Sequence, residues 1–252
     1  MAVRLISYSV ADPEFVKDVQ AEWMKDNPEA EWDTDPAFPT FESIQDLIAF
    51  CARVSNPANQ MNTETNEKLI KYLIKHAHWS PLEMVNACME IDTTRDIAHQ
   101  IVRHRSFAFQ EFSQRYAQPG EMGEVFVTSE ARLQDNKNRQ NSIEIDLSDD
   151  GAAELVTKWE EMQQDVCFAA GRAYDWAINN GIAKEVARKV LPEGLTKTRL
   201  YMNGSLRSWI HYIELRSANG TQKEHMEIAW ECAKVIAEIF PLAAELTDAS
   251  NS

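Results

Sequence analysis

The stretch from Gln100 to Tyr116 concentrates most of the side chains in this sequence that could do chemistry together. Arg103, His104 and Arg105 are consecutive, and Glu111, Ser113 and Arg115 then recur at every second position. A guanidinium presents a planar fork of donors that matches phosphate and carbonyl oxygens, which an ammonium cannot do. One or two cations at a helix end would be explained by the helix dipole. Three in a row point three ways around a helix, so one solvated face does not account for them. A basic turn followed by an extended segment lined with Glu, Ser and Arg suits a phosphorylated, planar ligand. Ser113 has a nucleophile's hydroxyl but no histidine placed in sequence to activate it, so it reads as a hydrogen-bond donor. His76 and His78 form a pair with no third ligand of suitable type nearby, and no metal is expected; His78 is read as the wall of a ligand pocket.

This basic patch is local. The 252 residues hold 40 Asp and Glu against 25 Lys and Arg, a formal net charge of -15. Such a chain repels nucleic-acid phosphates in bulk, so a nucleic-acid partner is not expected. Cys51, Cys88, Cys167 and Cys232 lack metal-like spacing and suit reduced, mostly buried thiols. No apolar run is long enough to cross a membrane and the N-terminus lacks a signal-peptide layout. The expectation is a single soluble domain over residues 1–252, cytoplasmic, or in the host cytoplasm if the source is viral.

Several elements must position these residues. Arg4 to Val10 reads as a strand, and residues 14–25 as a short helix. An acidic segment, about 22–42, follows and reads as a surface insertion. Ser43 caps a helix through Cys51, and Asn62 or Thr63 caps another that buries Leu69, Ile70, Leu73 and Ile74. Val85, Ala87, Met89 and Ile91 alternate with polar residues, the clearest amphipathic strand in the chain. Thr93 or Thr94 caps the next helix, whose last turn carries Arg103 to Arg105. Val125 to Val127 is a short strand. A polar loop spans about 128–150, where Arg132, Lys137 and Arg139 either reach an anionic tail or, more simply, are solvated. A long helix starts near Asp149 or Asp150, turns Leu155, Trp159, Met162 and Val166 inward, and stops before Gly181. Residues 185–190, 206–216 and 222–240 complete a mostly helical C-terminal half, the last with Met226, Ala229 or Trp230, Ala233, Ile236 or Ala237 and Phe240 inward. Arg207 and His211, four apart, share one helix face, and Arg216 lies in that helix's final turn. No GxGxxG is present, so no Rossmann site is expected.

Arg103-His104-Arg105 followed after seven residues by Ser113 resembles the RHR-x7-S signature of flavin-dependent thymidylate synthases. Ala52-Arg53-Val54-Ser55 and His78-Trp79-Ser80-Pro81-Leu82-Glu83 resemble the family's upstream segments. Glu185 to Pro192, Leu206 to His211, Leu215-Arg216 and Gln222-Lys223-Glu224 follow in the family's order. Gln114 stands where the family usually has a small residue, and His211 where it commonly has Asn. The resemblance implies an α+β fold with a mixed, mainly antiparallel sheet packed with helices, and a homotetramer with shared active sites. It implies that Gln100, Arg103, Glu111, Phe112, Ser113, Gln114, Arg115, Arg188 and Arg216 surround dUMP. Arg216 is then the catalytic group that favours ionisation at N3 of the uracil. Ser80, Arg103, His104, Arg105, Glu111, Arg207 and His211 are implied to hold FAD. The implied reaction moves a methylene from methylenetetrahydrofolate to dUMP, with NADPH as reductant, and yields dTMP and tetrahydrofolate.

The residues agree with that chemistry. Uracil C5 is a poor nucleophile, and one way to activate it adds a thiolate at C6. No cysteine has the basic setting this needs, since Cys88 lies on a strand beside Asn86 and Glu90. The other way stabilises an ionised ring with fixed cations, and Arg103, Arg115, Arg188 and Arg216 supply them. Two alternatives remain open: a flavin-free folate or nucleotide enzyme using the same arginines for dUMP, and a non-enzymatic module whose basic turn docks an acidic protein or a structured RNA, the RNA version being opposed by the chain's overall acidity.

Overall fold

A computed structural model describes residues 2–30, 35 and 38–243; Trp32 and Pro36 of the acidic segment lie outside the described residues. The class is α+β. The elements run β1 (Ala2–Tyr8), α1 (Pro13–Asp26), α2 (Ile44–Ala52), α3 (Asn66–Lys75), β2 (Asn86–Thr94), α4 (Arg95–Ile101) and β3 (Ala108–Glu111). They continue with β4 (Arg132–Gln134), β5 (Ser142–Glu144), α5 (Ala152–Asn179), α6 (Lys184–Ala187), β6 (Lys197–Ser205), α7 (Leu206–Ser217) and α8 (Lys223–Ile239). One sheet has the strand order β1-β2-β6-β3, and β4 pairs with β5 in a second. The chain forms two compact units: residues 1–3, 90–202 and 216–229, and residues 4–89, 203–215 and 230 onward.

In the second unit α2, α3 and α7 build the core, with Ile48, Ile70, Leu82, Trp209, Tyr212 and Phe240 fully buried. Ser43 caps α2 through a reciprocal box with Asp46, as the sequence suggests. The cap of α3 is Thr65 rather than Asn62 or Thr63. Its hydroxyl makes no cap bond because it accepts from Arg53 at 2.9 Å. Arg53 is buried and also donates to Asn66 Oδ1 at 2.6 Å, while Asn66 Nδ2 donates to Asp46 Oδ1 at 2.7 Å. A buried guanidinium is thus joined through one amide to the carboxylate that caps α2. Part of the acidic segment also packs here, with Trp23 buried edge-on against Phe38 at 5.4 Å.

In the first unit Ile91, Ile97, Ile101, Leu200 and Met202 are fully buried. β6 is the strand the sequence reading lacks. Its signal is present, since Thr198, Leu200 and Met202 are buried in alternation, but the polar residues between them mask it. The polar loop expected at about 128–150 contains the antiparallel pair Arg132↔Glu144, Leu133↔Ile143, Gln134↔Ser142. Val125 to Val127 reduces to one bridge, Phe126 to Thr196. On α5 the expected inward stripe is wrong: Leu155, Trp159, Met162 and Val166 are exposed, while Gln163, Ala170, Tyr174 and Ala177 are buried. Gln163 is inside because its amide exchanges hydrogen bonds with Ser129, accepting from the backbone N–H at 2.8 Å and donating to the carbonyl at 2.9 Å. On α8 Ala229 and Ile236 are buried as expected, as is Phe240 just past its end, while Met226 and Ala233 are only half-buried and His225, Ile228 and Cys232 are buried in addition.

Two helices end in the same way with different residues. Past α5, Gly181 is left-handed at φ 77, its N–H bonds Ile178 O and the N–H of Ile182 bonds Ala177 O. Past α3, Ala77 takes the same conformation at φ 54, with bonds from Ala77 to Ile74 and from His78 to Leu73. This is a Schellman ending, in which glycine is the unstrained choice. Ala77 is strained there and launches the segment from His78 to Glu83. Ala77→Gly is expected to raise stability by about 0.5 to 1 kcal/mol, and Gly181→Ala, where an added Cβ meets nothing within 4 Å, to lower it by a similar amount. Urea midpoints of the two variants check both signs.

Candidate active site

The basic turn lies just beyond α4, not in its last turn. Bonds from Arg103 N to Gln100 O at 3.4 Å and from His104 N to Ile101 O at 3.1 Å close the helix. Arg103 and Arg105 are exposed, and neither side chain has a partner among the described residues. His104 is half-buried, and its Nε2 accepts from Arg216 Nε at 2.9 Å. The turn and the end of α7 therefore meet. Accepting at Nε2 fixes the His104 tautomer with its hydrogen on Nδ1. Burial, and then the Arg216 charge, push the His104 pKa down from 6.5 to about 4. The ring is neutral, so Arg216 keeps its full charge, and its other four N–H donors have no partner among the described residues.

The alternation of Glu111, Ser113 and Arg115 does not survive as one strand face. β3 stops at Glu111, the Phe112 N–H still bonds Arg199 O at 2.8 Å, and residues 113–116 then turn, with Tyr116 N bonded to Ser113 O at 3.0 Å. Glu111 is drawn inward by Arg95 at 3.1 Å and the Thr198 hydroxyl at 2.9 Å. Ser113 Oγ accepts from the Arg115 N–H at 3.4 Å, and Arg115 lies 3.6 Å from Glu185. Gln114 is only 3 % exposed, and its Nε2 is buried with no hydrogen-bond partner. Arg188 is half-buried and its guanidinium is unpaired among the described residues.

One more cluster surrounds Gln100 at the end of α4. Its Nε2 donates to Gln222 Oε1 at 2.7 Å, and its Oε1 lies 3.2 Å from Nδ1 of His225. His225 is 0 % exposed, its ring edge-on to His104 at 6.3 Å. Burial first, then Arg216 and His104, push its pKa down from 6.5 to about 3. Sequence reading missed His225; the signal was a histidine three residues after Gln222 on the buried face of a helix.

The remaining predicted flavin residues belong to the other unit. Ser80 opens a short 3₁₀ turn, Ser80–Glu83, and is exposed. Arg207 is ion-paired with Glu83, whose other oxygen accepts from Ser205 at 3.3 Å. His211 packs edge-on against Trp79 at 4.7 Å. His78, expected as a pocket wall, is exposed beside Tyr72 and His76.

A cavity of the first unit, about 830 Å³, touches none of the predicted nucleotide or flavin residues. Two of its carboxylates are met by arginines: Asp92 by Arg199 at 2.6 Å and Glu224 by Arg132 at 2.5 Å. One wall is the exposed apolar side of α5, with Trp159, Met162 and Val166. Carboxylates beside an apolar wall do not form an anion site, and the unpaired arginines elsewhere carry more weight. Arg132, read as a possible reach toward a substrate tail, is held between Glu130 and Glu224 instead. Burial pushes the thiols of Cys51, Cys88, Cys167 and Cys232 up, opposite to what a nucleophilic thiolate needs. No group of three or more metal-ligating side chains occurs among the described residues.

The family model described as thymidylate synthase complementing protein matches residues 40–242, leaving most of the acidic segment outside it. A probable flavin-dependent thymidylate synthase of Paramecium bursaria Chlorella virus 1 is 45 % identical over 215 residues, 85 % of this chain and 95 % of that one. The flavin-dependent thymidylate synthase of Synechocystis is 47 % identical over 218 residues, 86 % and 93 % of the two chains. A solved UMP/dUMP methylase, PolB from Streptomyces cacaoi bound with 5-Br dUMP, shares the fold at a TM-score of 0.71 and 20 % identity, over 98 % of this chain and 94 % of that one.

The two depressed histidines make stability depend on pH. Both take a proton near pH 6.5 when unfolded but only near pH 4 and 3 when folded. The unfolded chain therefore binds the extra protons, and the stability these rings contribute is full above pH 6.5 and is lost as pH falls through the folded values. Melting temperature is expected to fall from pH 6.5 toward 4. In His225→Asn the slope in that window is expected to be shallower by up to about 1.4 kcal/mol per pH unit, measured by thermal melts across pH.

Proposed function

The chain belongs to the flavin-dependent thymidylate synthases, and on that premise we propose that residues 1–252 act as one domain that converts dUMP to dTMP with methylenetetrahydrofolate as carbon donor and NADPH as reductant. The observation that carries the site assignment is the pairing of Arg216 with a neutral histidine rather than with a carboxylate. Its guanidinium is anchored at Nε and is free at its terminal nitrogens to face a uracil ring. A fixed cation there favours loss of the N3 proton to solvent and leaves negative charge shared between N3 and the flanking carbonyl oxygens. Delocalised over the ring, that charge makes C5 a better carbon nucleophile without any thiol adding at C6. Preorganised charge of this kind is typically the largest single catalytic contribution. Arg188, Ser113, Arg115 and the Gln114 amide are the groups we assign to the rest of the nucleotide, the arginines to its phosphate.

The residues present fit FAD. Arg103 and Arg105 are exposed cations with no competing carboxylate, suited to a diphosphate, and His104 stands between them in the turn. We assign Ser80, Arg207, His211 and Glu111 to the same cofactor, the edge of Trp79 against His211 offering an aromatic wall. When bound, the flavin supplies the hydride that completes the new methyl group. Arg207 is paired with Glu83 and exchanges that partner for the cofactor.

We further propose a homotetramer with shared active sites, working in the cytoplasm. The exposed Leu155, Trp159, Met162 and Val166 of α5, with Phe168 and Trp176, support an interface between copies of this chain. None of the described helices is long and apolar enough to cross a membrane.

The purified protein is expected to be yellow, to bleach under anaerobic NADPH with dUMP, and to reoxidise with dTMP formation when methylenetetrahydrofolate is added. Arg216→Ala is expected to lower dTMP formation by at least about 100-fold while the flavin absorbance stays. A colourless protein that does not take up FAD would remove the flavin assignment. Full activity in Arg216→Ala would remove that residue from the mechanism.

A further inference from the structure

The amide of Gln100 is held at both ends by residues that so far have no task. Its oxygen faces Nδ1 of His225 at 3.2 Å, and its nitrogen donates to Gln222 at 2.7 Å. An amide oxygen only accepts, so the ring nitrogen facing it carries the hydrogen. An amide nitrogen has two hydrogens, and Gln222 takes one. Half-exposed Gln100 therefore still has one N–H free to donate. His225 is fully buried on α8, so its ring cannot swing aside to release the oxygen. Burial also keeps the ring neutral, so no added cation competes with Arg216 a short distance away.

We propose that His225 is a positioning residue that locks the Gln100 amide with its N–H toward an acceptor oxygen of dUMP. The inference rests on the proposed function and on the expectation, drawn from the family resemblance, that Gln100 borders dUMP. Without His225 the amide is free to turn over and present its own oxygen, which repels an acceptor. The acceptor is the oxygen at position 4 of the uracil ring or a phosphate oxygen. Only the first distinguishes uracil, with oxygen at position 4, from cytosine, which carries an amine donor there.

The test measures calorimetric binding of dUMP, dCMP and deoxyuridine to the FAD-loaded protein and to Gln100→Ala, His225→Leu, His225→Asn and Gln222→Ala. His225→Leu is expected to weaken dUMP about 10-fold. His225→Asn, whose amide nitrogen can occupy the place of Nδ1, is expected to restore most of that loss. Gln222 is exposed, and Gln222→Ala is expected to give a smaller loss in the same direction without disturbing the core. If the acceptor is the uracil oxygen, the preference for dUMP over dCMP shrinks in His225→Leu. If it is phosphate, that preference holds and the gap between dUMP and deoxyuridine shrinks instead. Unchanged dUMP affinity in Gln100→Ala overturns the assignment of Gln100. A loss in Gln100→Ala with none in His225→Leu overturns the positioning role. A fall in affinity that leaves both preferences unchanged, or an Asn variant as weak as the Leu variant, marks general damage to the fold and likewise overturns it.

Discussion

The site depends on a hydrogen bond between a permanent cation and a neutral ring. Arg216 donates to His104 at 2.9 Å, and burial of that ring holds it unprotonated. A carboxylate in the same place would anchor the guanidinium equally well but would cancel the charge that the proposed function asks it to present to a uracil anion. A protonated histidine would repel it. The protein meets both constraints by using a histidine whose proton affinity is lowered by its surroundings, so anchoring and charge are separated.

That separation stands out because the chain carries a large excess of carboxylates. Arg95 meets Glu111, Arg132 meets Glu130 and Glu224, Arg199 meets Asp92, and Arg207 meets Glu83. Arg103, Arg105, Arg188 and Arg216 have no acidic partner among the described residues. Paired arginines set local geometry, with most of their charge answered. Unpaired ones hold electrostatic free energy that an anionic ligand can release, so in an acidic protein the lack of a partner is more informative than a basic residue by itself.

Much of this was legible from residue types. The Arg-His-Arg turn, the late Arg216 and the absence of an activated thiol could be read before any geometry was known. The cap of α2 at Ser43 and the stop of α5 at Gly181 follow the sequence closely. What stayed hidden depended on long-range placement. The strand β6 was concealed by a polar alternation that reads as loop until β2 and β3 flank it. The apolar stripe of α5 has helical period, but period alone does not say whether the chain's own core or another surface will cover it. His225 looked like one polar residue on an apolar face, and only its contact with Gln100 gave it meaning. Thr65 lost its capping role to Arg53, a competition between two local bonds that propensity cannot foresee.

The strand order also bears on how the chain comes to be folded. β2 ends at Thr94, yet its neighbour β6 begins only at Lys197, and β3 must wait for the same strand. Closing a loop of that length is entropically costly and slow compared with forming a helix. At a synthesis rate of about 5 to 20 residues per second, β2 can pair with β1 but lacks its other neighbour for several seconds while the ribosome makes the intervening chain. Through that interval the edge of β2 that β6 will cover stays open. Production of this protein is therefore sensitive to translation speed and to chaperones that shield nascent strands.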